Sequence, residues 1–253
     1  MENENIENKR KTILEAIKIA HKNSNFSSLP YPQLVAVSKK QEEQKIELAI
    51  KSGQKVFGEN RVQEAQQRWE KRLEIYNDIE LRLIGPLQTN KVKQALKLFN
   101  IIETIDREKL AKEIAKNFGY ESKTKSFYIQ VNTGSETQKS GLLPTEIDSF
   151  FEYCTKDLKL PIIGLMCIPP QNEDPAMHFA FLKKIADRNS LFKLSMGMSN
   201  DFKEAIKFGA TSVRIGSLFF GARQFWLQNM PWFLGLSTKI IFIILIWINF
   251  NWY

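Results

Sequence analysis

The sequence predicts an α/β fold, a single (β/α)8 TIM barrel with a helix before it and an apolar tail after it. Three observations carry this. Eight short apolar runs recur between residues 34 and 215, with helix-like stretches between them. The first run is followed by Ser38, Lys39 and Lys40, not by the glycine-rich turn expected of an open doubly wound sheet. Small and polar residues gather after the runs, where a barrel places its functional rim.

The elements follow in order. A polar helix is predicted over residues 6–22. Strands are predicted at 34–38, 55–57, 81–84 and 101–104, then at 127–131, 162–166, 192–195 and 212–215. Each is short and apolar, as a strand buried on both faces should be. Helices are predicted between them, for example over 41–52, 60–73 and 145–156.

Composition narrows the chemistry. Of the 253 residues 43% are hydrophobic and 25% charged, which excludes a disordered chain, a collagen and a multi-span membrane protein. Two cysteines, Cys154 and Cys167, can form neither a disulfide framework nor a four-thiolate zinc site. His21 and His178 lie far apart and in no metal-ligand spacing. Chemistry here must rest on Lys, Arg, Ser, Asn or a borrowed cofactor. The net charge of +8 comes from Lys and Glu alternating along helix faces, without an Arg-rich run or an aromatic–basic motif. Nucleic acid is therefore not an expected partner. The acidic start lacks an apolar stretch, so no secretory signal is expected and the cytoplasm is the default.

Candidate residues come from the predicted rim. Gly197 and Gly216 allow close backbone approach after strands seven and eight. Ser199 and Ser217 are each placed to open the next helix, as simple N-caps or as a phosphate site. Lys39 and Lys40 end strand one on opposite sides, and periodicity leaves open which points inward. A desolvated lysine at a barrel mouth can form a Schiff base. Together with a phosphate site and Arg214 on strand eight, this suggests pyridoxal 5′-phosphate (PLP). Lysine would take the aldehyde, the serines the phosphate and Arg214 the ring nitrogen. Arg214 could equally be half of an ion pair.

The motifs that carry a resemblance are residues 36–39 (Ala-Val-Ser-Lys), 57–61 (Phe-Gly-Glu-Asn-Arg) and 84–91 (Ile-Gly-Pro-Leu-Gln-Thr-Asn-Lys). Further along come 129–132 (Ile-Gln-Val-Asn), 164–166 (Gly-Leu-Met), 194–199 (Leu-Ser-Met-Gly-Met-Ser), 213–216 (Val-Arg-Ile-Gly) and 220–223 (Phe-Gly-Ala-Arg). In this order the sequence resembles the YggS/PROSC family, the pyridoxal-phosphate homeostasis proteins. The resemblance implies a barrel like the N-terminal domain of alanine racemases, with PLP held as an internal aldimine on Lys39. It implies Ser199, Gly216 and Ser217 at the phosphate, Arg214 facing the ring nitrogen and Asn60 lining the pocket. Ser217 stands where family members often have Thr, and Arg82 where they commonly have His.

The function so implied is PLP (vitamin B6) homeostasis, with PLP held and passed to apo PLP-dependent enzymes and without strong turnover. The chain is expected to be monomeric. The alternative is a PLP-dependent amino-acid racemase or decarboxylase. Barrel-type racemases add a large β-domain, and the 30 residues after position 223 are too few for one. The expected domains are residues 1–223, the PLP-binding barrel, and 224–253, an apolar tail. The tail holds four of the five Trp, one Lys (Lys239) and no acid. It reads as a membrane anchor over 230–253, as a helix packed on the barrel, or as an out-of-frame extension.

Overall fold

The structure, a computed structural model, describes residues 2–221. It opens with α1 (Glu2–Lys22) and then alternates strands and helices: β1 (Gln33–Val37), α2 (Glu43–Lys51), β2 (Val56–Glu59) and α3 (Val62–Ile75). Next come β3 (Glu80–Leu83), a 3-10 turn at Thr89–Lys91, α4 (Val92–Leu98), β4 (Ile101–Ile105), α5 (Glu108–Asn117) and β5 (Ser126–Val131). The chain continues through α6 (Ile147–Glu152), a π-helical turn at Tyr153–Asp157, β6 (Ile162–Cys167) and α7 (Pro175–Arg188). It ends with β7 (Lys193–Ser195), α8 (Phe202–Lys207), β8 (Ser212–Ile215) and α9 (Ser217–Phe220). All eight strands are parallel, and β1 pairs with both β2 and β8, so the sheet closes. Every predicted strand is found within two residues of its expected place. The tail over residues 224–253 lies outside the described residues, and Ala222 and Arg223 lie outside them too.

Two layers of packing follow from the two-residue strand period. Outward-facing residues such as Leu34, Ala36, Phe57, Leu81, Ile102, Phe127, Leu165 and Val213 pack against helix residues such as Ile46, Trp69, Leu110 and Phe179 in one apolar cluster. Phe57 is fully buried with its ring 4.7 Å from that of Trp69. Burial of such a side chain contributes about 1.5–3 kcal/mol. The inward layer is different. Among the described residues its apolar cluster is formed by Ile101, Tyr128 and Met166, with Ile163 packed against it. Much of the rest of the lumen is polar.

Local chemistry sets the helix boundaries. Asp174 caps α7 by accepting a hydrogen bond from the Ala176 N–H at 3.0 Å, and Pro175 occupies the first turn. The helix expected over 145–156 is broken into α6 and the π-helical turn, which buries Cys154 against the core. α1 begins earlier than expected and packs against α2, α8 and α9. Among the described residues no helix is long and apolar enough to cross a membrane.

Candidate functional site

Strand register sets which residues of β1 face the barrel lumen. Val35 pairs with Arg214, Val37 with Gly58, Gly58 with Arg82 and Arg82 with Ile101, and paired residues share a face. Gln33 belongs to the same face, since its side-chain oxygen accepts a hydrogen bond from Arg82. The inward set on β1 is therefore Gln33, Val35 and Val37, and Lys39 follows in the turn two residues past the strand end. Lys39 is half-buried. Lys40 is exposed and turns the chain in a left-handed conformation, φ 57°.

Ser38, of the opposite parity, faces the helix layer and anchors the turn. Its hydroxyl donates to Glu59 Oε1 at 2.7 Å. The same oxygen accepts from Trp69 Nε1 at 3.0 Å and from Arg68 at 3.0 Å. Arg68 also donates to the carbonyls of Ser38 and Gln41, at 3.2 and 3.4 Å, so one guanidinium brackets Lys39 on both sides. Glu59 is fully buried. Burial opposes the charge on Arg68, and the Glu59 and Glu43 carboxylates outweigh it, holding Arg68 above the usual arginine range.

Inside the barrel lies Arg214, 3% exposed. It donates to Ser195 Oγ at 2.7 Å and to the Cys167 carbonyl at 2.8 Å. Its remaining side-chain N–H groups meet no protein acceptor among the described residues. Ser195 in turn donates to Glu103 Oε2 at 2.6 Å, and Glu103 Oε1 accepts from Arg82 at 3.0 Å. Arg82 completes the chain by pairing with Glu80 at 2.6 Å. Burial works against the Arg82 charge, and Glu103 and Glu80 overcome it and raise its pKa. Tyr128 shares this space, and its burial, reinforced by Glu103, pushes its phenol above the ordinary range.

The rim after β7 and β8 differs from expectation in one respect. Ser199 does not open α8: the residue preceding that helix is Asp201, because Met198 to Asp201 form a turn closed by the Met198 N–H donating to the Asp201 carboxylate at 2.5 Å. The Ser199 hydroxyl instead accepts from the Leu218 N–H at 3.5 Å, which brings it to the start of α9. Ser217 is the first residue of α9, after Gly216. Neither serine is a helix N-cap, and the two stand together. Gly197 has φ +91°, and a Cβ there would lie 2.6 Å from Ala205 Cβ, so glycine is required.

Asn60 follows β2 with its Oδ1 buried and, among the described residues, without a hydrogen-bond partner. Its backbone packs on Gly85, where a Cβ would meet the Asn60 carbonyl oxygen at 2.3 Å. His178, although on α7, reaches the rim: its Nδ1 lies 3.0 Å from Thr133 Oγ1 and its Nε2 3.1 Å from Glu173 Oε2. Sequence reading passed over Glu59, Arg68, Glu103, Ser195 and Thr133. A signal existed for Glu103, since an ionisable residue inside an apolar strand must find a partner, and Arg82 on the neighbouring strand is another such residue.

This barrel, with its half-buried lysine at the end of β1 and an arginine on β8, defines the alanine racemase N-terminal class: the family model "Alanine racemase, N-terminal domain" matches residues 19–224. Curated relatives narrow the class. The chain is 41% identical over 182 residues to the pyridoxal phosphate homeostasis protein of Aquifex aeolicus, covering 68% of this chain and 79% of that one. It is 34% identical over 201 residues to the Escherichia coli protein of the same name, covering 76% and 86%. The chain belongs to the pyridoxal phosphate homeostasis protein family. Among solved structures it is similar to PipY of Synechococcus elongatus with PLP bound, with TM-score 0.67, 31% identity and coverage of 81% of this chain and 99% of that one. Alanine racemase of Clostridium difficile shares the fold, with TM-score 0.64 and 13% identity, over 88% of this chain and 59% of that one.

Proposed function

We propose that this chain holds PLP in the barrel mouth and serves PLP homeostasis, passing the cofactor to apo PLP-dependent enzymes. Lys39 supplies the amine for the aldehyde, Asn60 lines the pocket and Arg214 donates to the ring nitrogen. Ser199, Gly216 and Ser217 bind the phosphate. The observation that carries this reading is that the strand ends of one rim bring together an amine, a guanidinium and an amide. Lys39 follows two residues after inward-facing Val37, and among the described residues the Arg214 fork has N–H groups without protein acceptors and Asn60 Oδ1 is a buried acceptor without a donor. A ligand with an aldehyde, a ring acceptor and polar substituents matches that set. When bound, PLP supplies an electrophilic carbonyl and an electron-withdrawing ring.

The proposed role is non-catalytic. Amino-acid racemisation needs an acid–base group on each face of the substrate carbon. Lys39 can serve one face. Of the other candidates, Tyr128 is buried in the lumen with a raised pKa, and burial pushes the Cys167 thiol up to about 12. His178 is engaged by Thr133 and Glu173. The reading also takes residues 1–223 as the cofactor domain and 224–253 as a separate tail, in a monomeric cytoplasmic protein. Cell fractionation tests whether that tail makes a membrane contact. Purified protein incubated with PLP should become yellow and should reactivate an apo-enzyme. A colourless protein would overturn the proposal, and saturable racemisation or decarboxylation at ~1 s⁻¹ or more would replace it with the enzyme reading.

A further inference from the structure

We propose that Ser195 and Glu103 are positioning residues for the ring-nitrogen contact, acting through Arg214. This rests on the PLP reading above and extends it to residues that would not touch the cofactor.

The inference comes from hydrogen-bond polarity. A serine hydroxyl has one proton to give. Ser195 lies between a guanidinium, which can only donate, and a carboxylate, which can only accept. Its proton must therefore go to Glu103 Oε2, at 2.6 Å, and its lone pair to Arg214, at 2.7 Å. Glu103 is in turn held by Arg82, at 3.0 Å to its other oxygen. Every link has a fixed sense: Arg82 to Glu103, Ser195 to Glu103, Arg214 to Ser195. All four residues are buried, with Glu103 and Ser195 at 0% exposure. Water does not compete, and the chain has no alternative direction.

The consequence falls on Arg214. Its fork is pinned at one N–H by Ser195 and at another by the Cys167 carbonyl, from β7 and β6 respectively. Two fixed points orient a planar guanidinium, leaving its other N–H groups in one direction. A ring nitrogen accepting from that edge meets a preset donor and need not organise one. Arg82 thus closes the far end of this relay.

The test compares PLP with an analogue carrying C–H in place of the ring nitrogen. Affinities are measured by absorbance titration for wild type, Ser195→Ala, Ser195→Thr and Glu103→Gln. Wild type is expected to favour PLP over the analogue by about tenfold, the scale of one hydrogen bond to a charged group. Ser195→Ala should abolish that preference by weakening PLP about tenfold while leaving the analogue within twofold. Ser195→Thr, which keeps the hydroxyl, should restore it. Glu103→Gln should behave as Ser195→Ala does, because an amide cannot accept from both Arg82 and Ser195 in the same way. If Ser195→Ala does not fold, the Thr and Gln variants carry the comparison. Equal weakening of both ligands would make the relay merely structural and overturn the proposal. Unchanged preference in Ser195→Ala or in Glu103→Gln would overturn it as well. Wild type that binds neither ligand would overturn the PLP reading itself, a result separate from a wild type that binds both equally.

Discussion

Glu59→Gln isolates the anchor beneath Lys39. The substitution keeps shape and one acceptor oxygen, so the hydroxyl of Ser38 and the indole N–H of Trp69 can still be satisfied at the place of Glu59 Oε1. What disappears is the charge facing Arg68 at 3.0 Å. Breaking a buried ion pair costs about 3–5 kcal/mol. Arg68 retains Glu43, at 3.0 Å, and two backbone carbonyls, which places the expected loss at about 2–3 kcal/mol, near one charge-assisted hydrogen bond. Trp69→Phe is the comparison that leaves the ion pair in place: it removes an indole N–H donated to the Glu59 carboxylate and opens space in the core, and should cost about 2–4 kcal/mol. Urea unfolding read by fluorescence and circular dichroism gives both values, with an unchanged m-value as the check that the denatured state is unaltered. The loop effect is read separately. Glu59→Gln should weaken PLP about tenfold and leave pyridoxine 5′-phosphate, which has no aldehyde for Lys39, within twofold. A stability change below ~0.5 kcal/mol would refute the energetic argument. Parallel losses for the two vitamers would refute the link from Glu59 to Lys39.

Three other outcomes are expected. Borohydride reduction of the PLP-loaded protein followed by peptide mapping should place the pyridoxyl group on Lys39, and a label on Lys40 would overturn that assignment. Ser199→Ala and Ser217→Ala should each weaken PLP by roughly 1–3 kcal/mol while pyridoxal, without the phosphate, is unaffected. Equal PLP binding in both variants would remove the serines from the phosphate site. Cys154 and Cys167, each pushed by burial to about 12 from an ordinary value of 9.0, should resist iodoacetamide at neutral pH in the native protein and react on unfolding. Because these pKa values are raised by folding, their contribution to stability is complete below pH 9.0 and is lost as pH rises toward about 12. A pH titration of the urea midpoint checks the sign.

The strands were legible because each presents a short apolar run between breaks, and the motif at 194–199 could be placed at a strand end by the same pattern. Lys39 and Lys40 were legible as candidates while the inward face of β1 was not, because a two-residue period has no origin until a neighbouring strand supplies one. The pairing of Val37 with Gly58 supplies it. The place of Ser199 was misread for a local reason. A serine before an apolar helical pattern is a standard N-cap signal, but the turn closed by Asp201 takes two further residues before α8 can begin. His178 was set aside because it has no metal-ligand spacing to His21, yet its side chain crosses from α7 to Thr133. Sequence position reports the backbone, and a long side chain spans the distance to the next loop.

The polar lumen was the least legible part, and its physics explains why. A strand with one ionisable residue, such as Ile101–Ile105 with Glu103, reads as an apolar run with a defect. So does Glu80–Leu83 with Arg82. Each defect makes sense only when the two strands pair: Arg82 stands beside Ile101 in the register, and its reach carries it to Glu103 two residues on, still on the inward face. Neither charge would be tolerated alone, since an unpaired buried charge costs several kcal/mol. Replacing the pair with apolar residues could match its stability, because two buried ions also carry a desolvation cost. An apolar lumen would leave Ser195 without its acceptor, however, and Arg214 with a serine of undefined polarity. The ionic lumen is therefore better explained by what it does for the donors at the mouth than by the stability of the barrel. On that argument Arg82→Met combined with Glu103→Leu should yield a folded barrel with near-native unfolding free energy and a weakened preference for a ring nitrogen. Loss of folding in the double variant would show instead that the barrel needs the ions for its own closure.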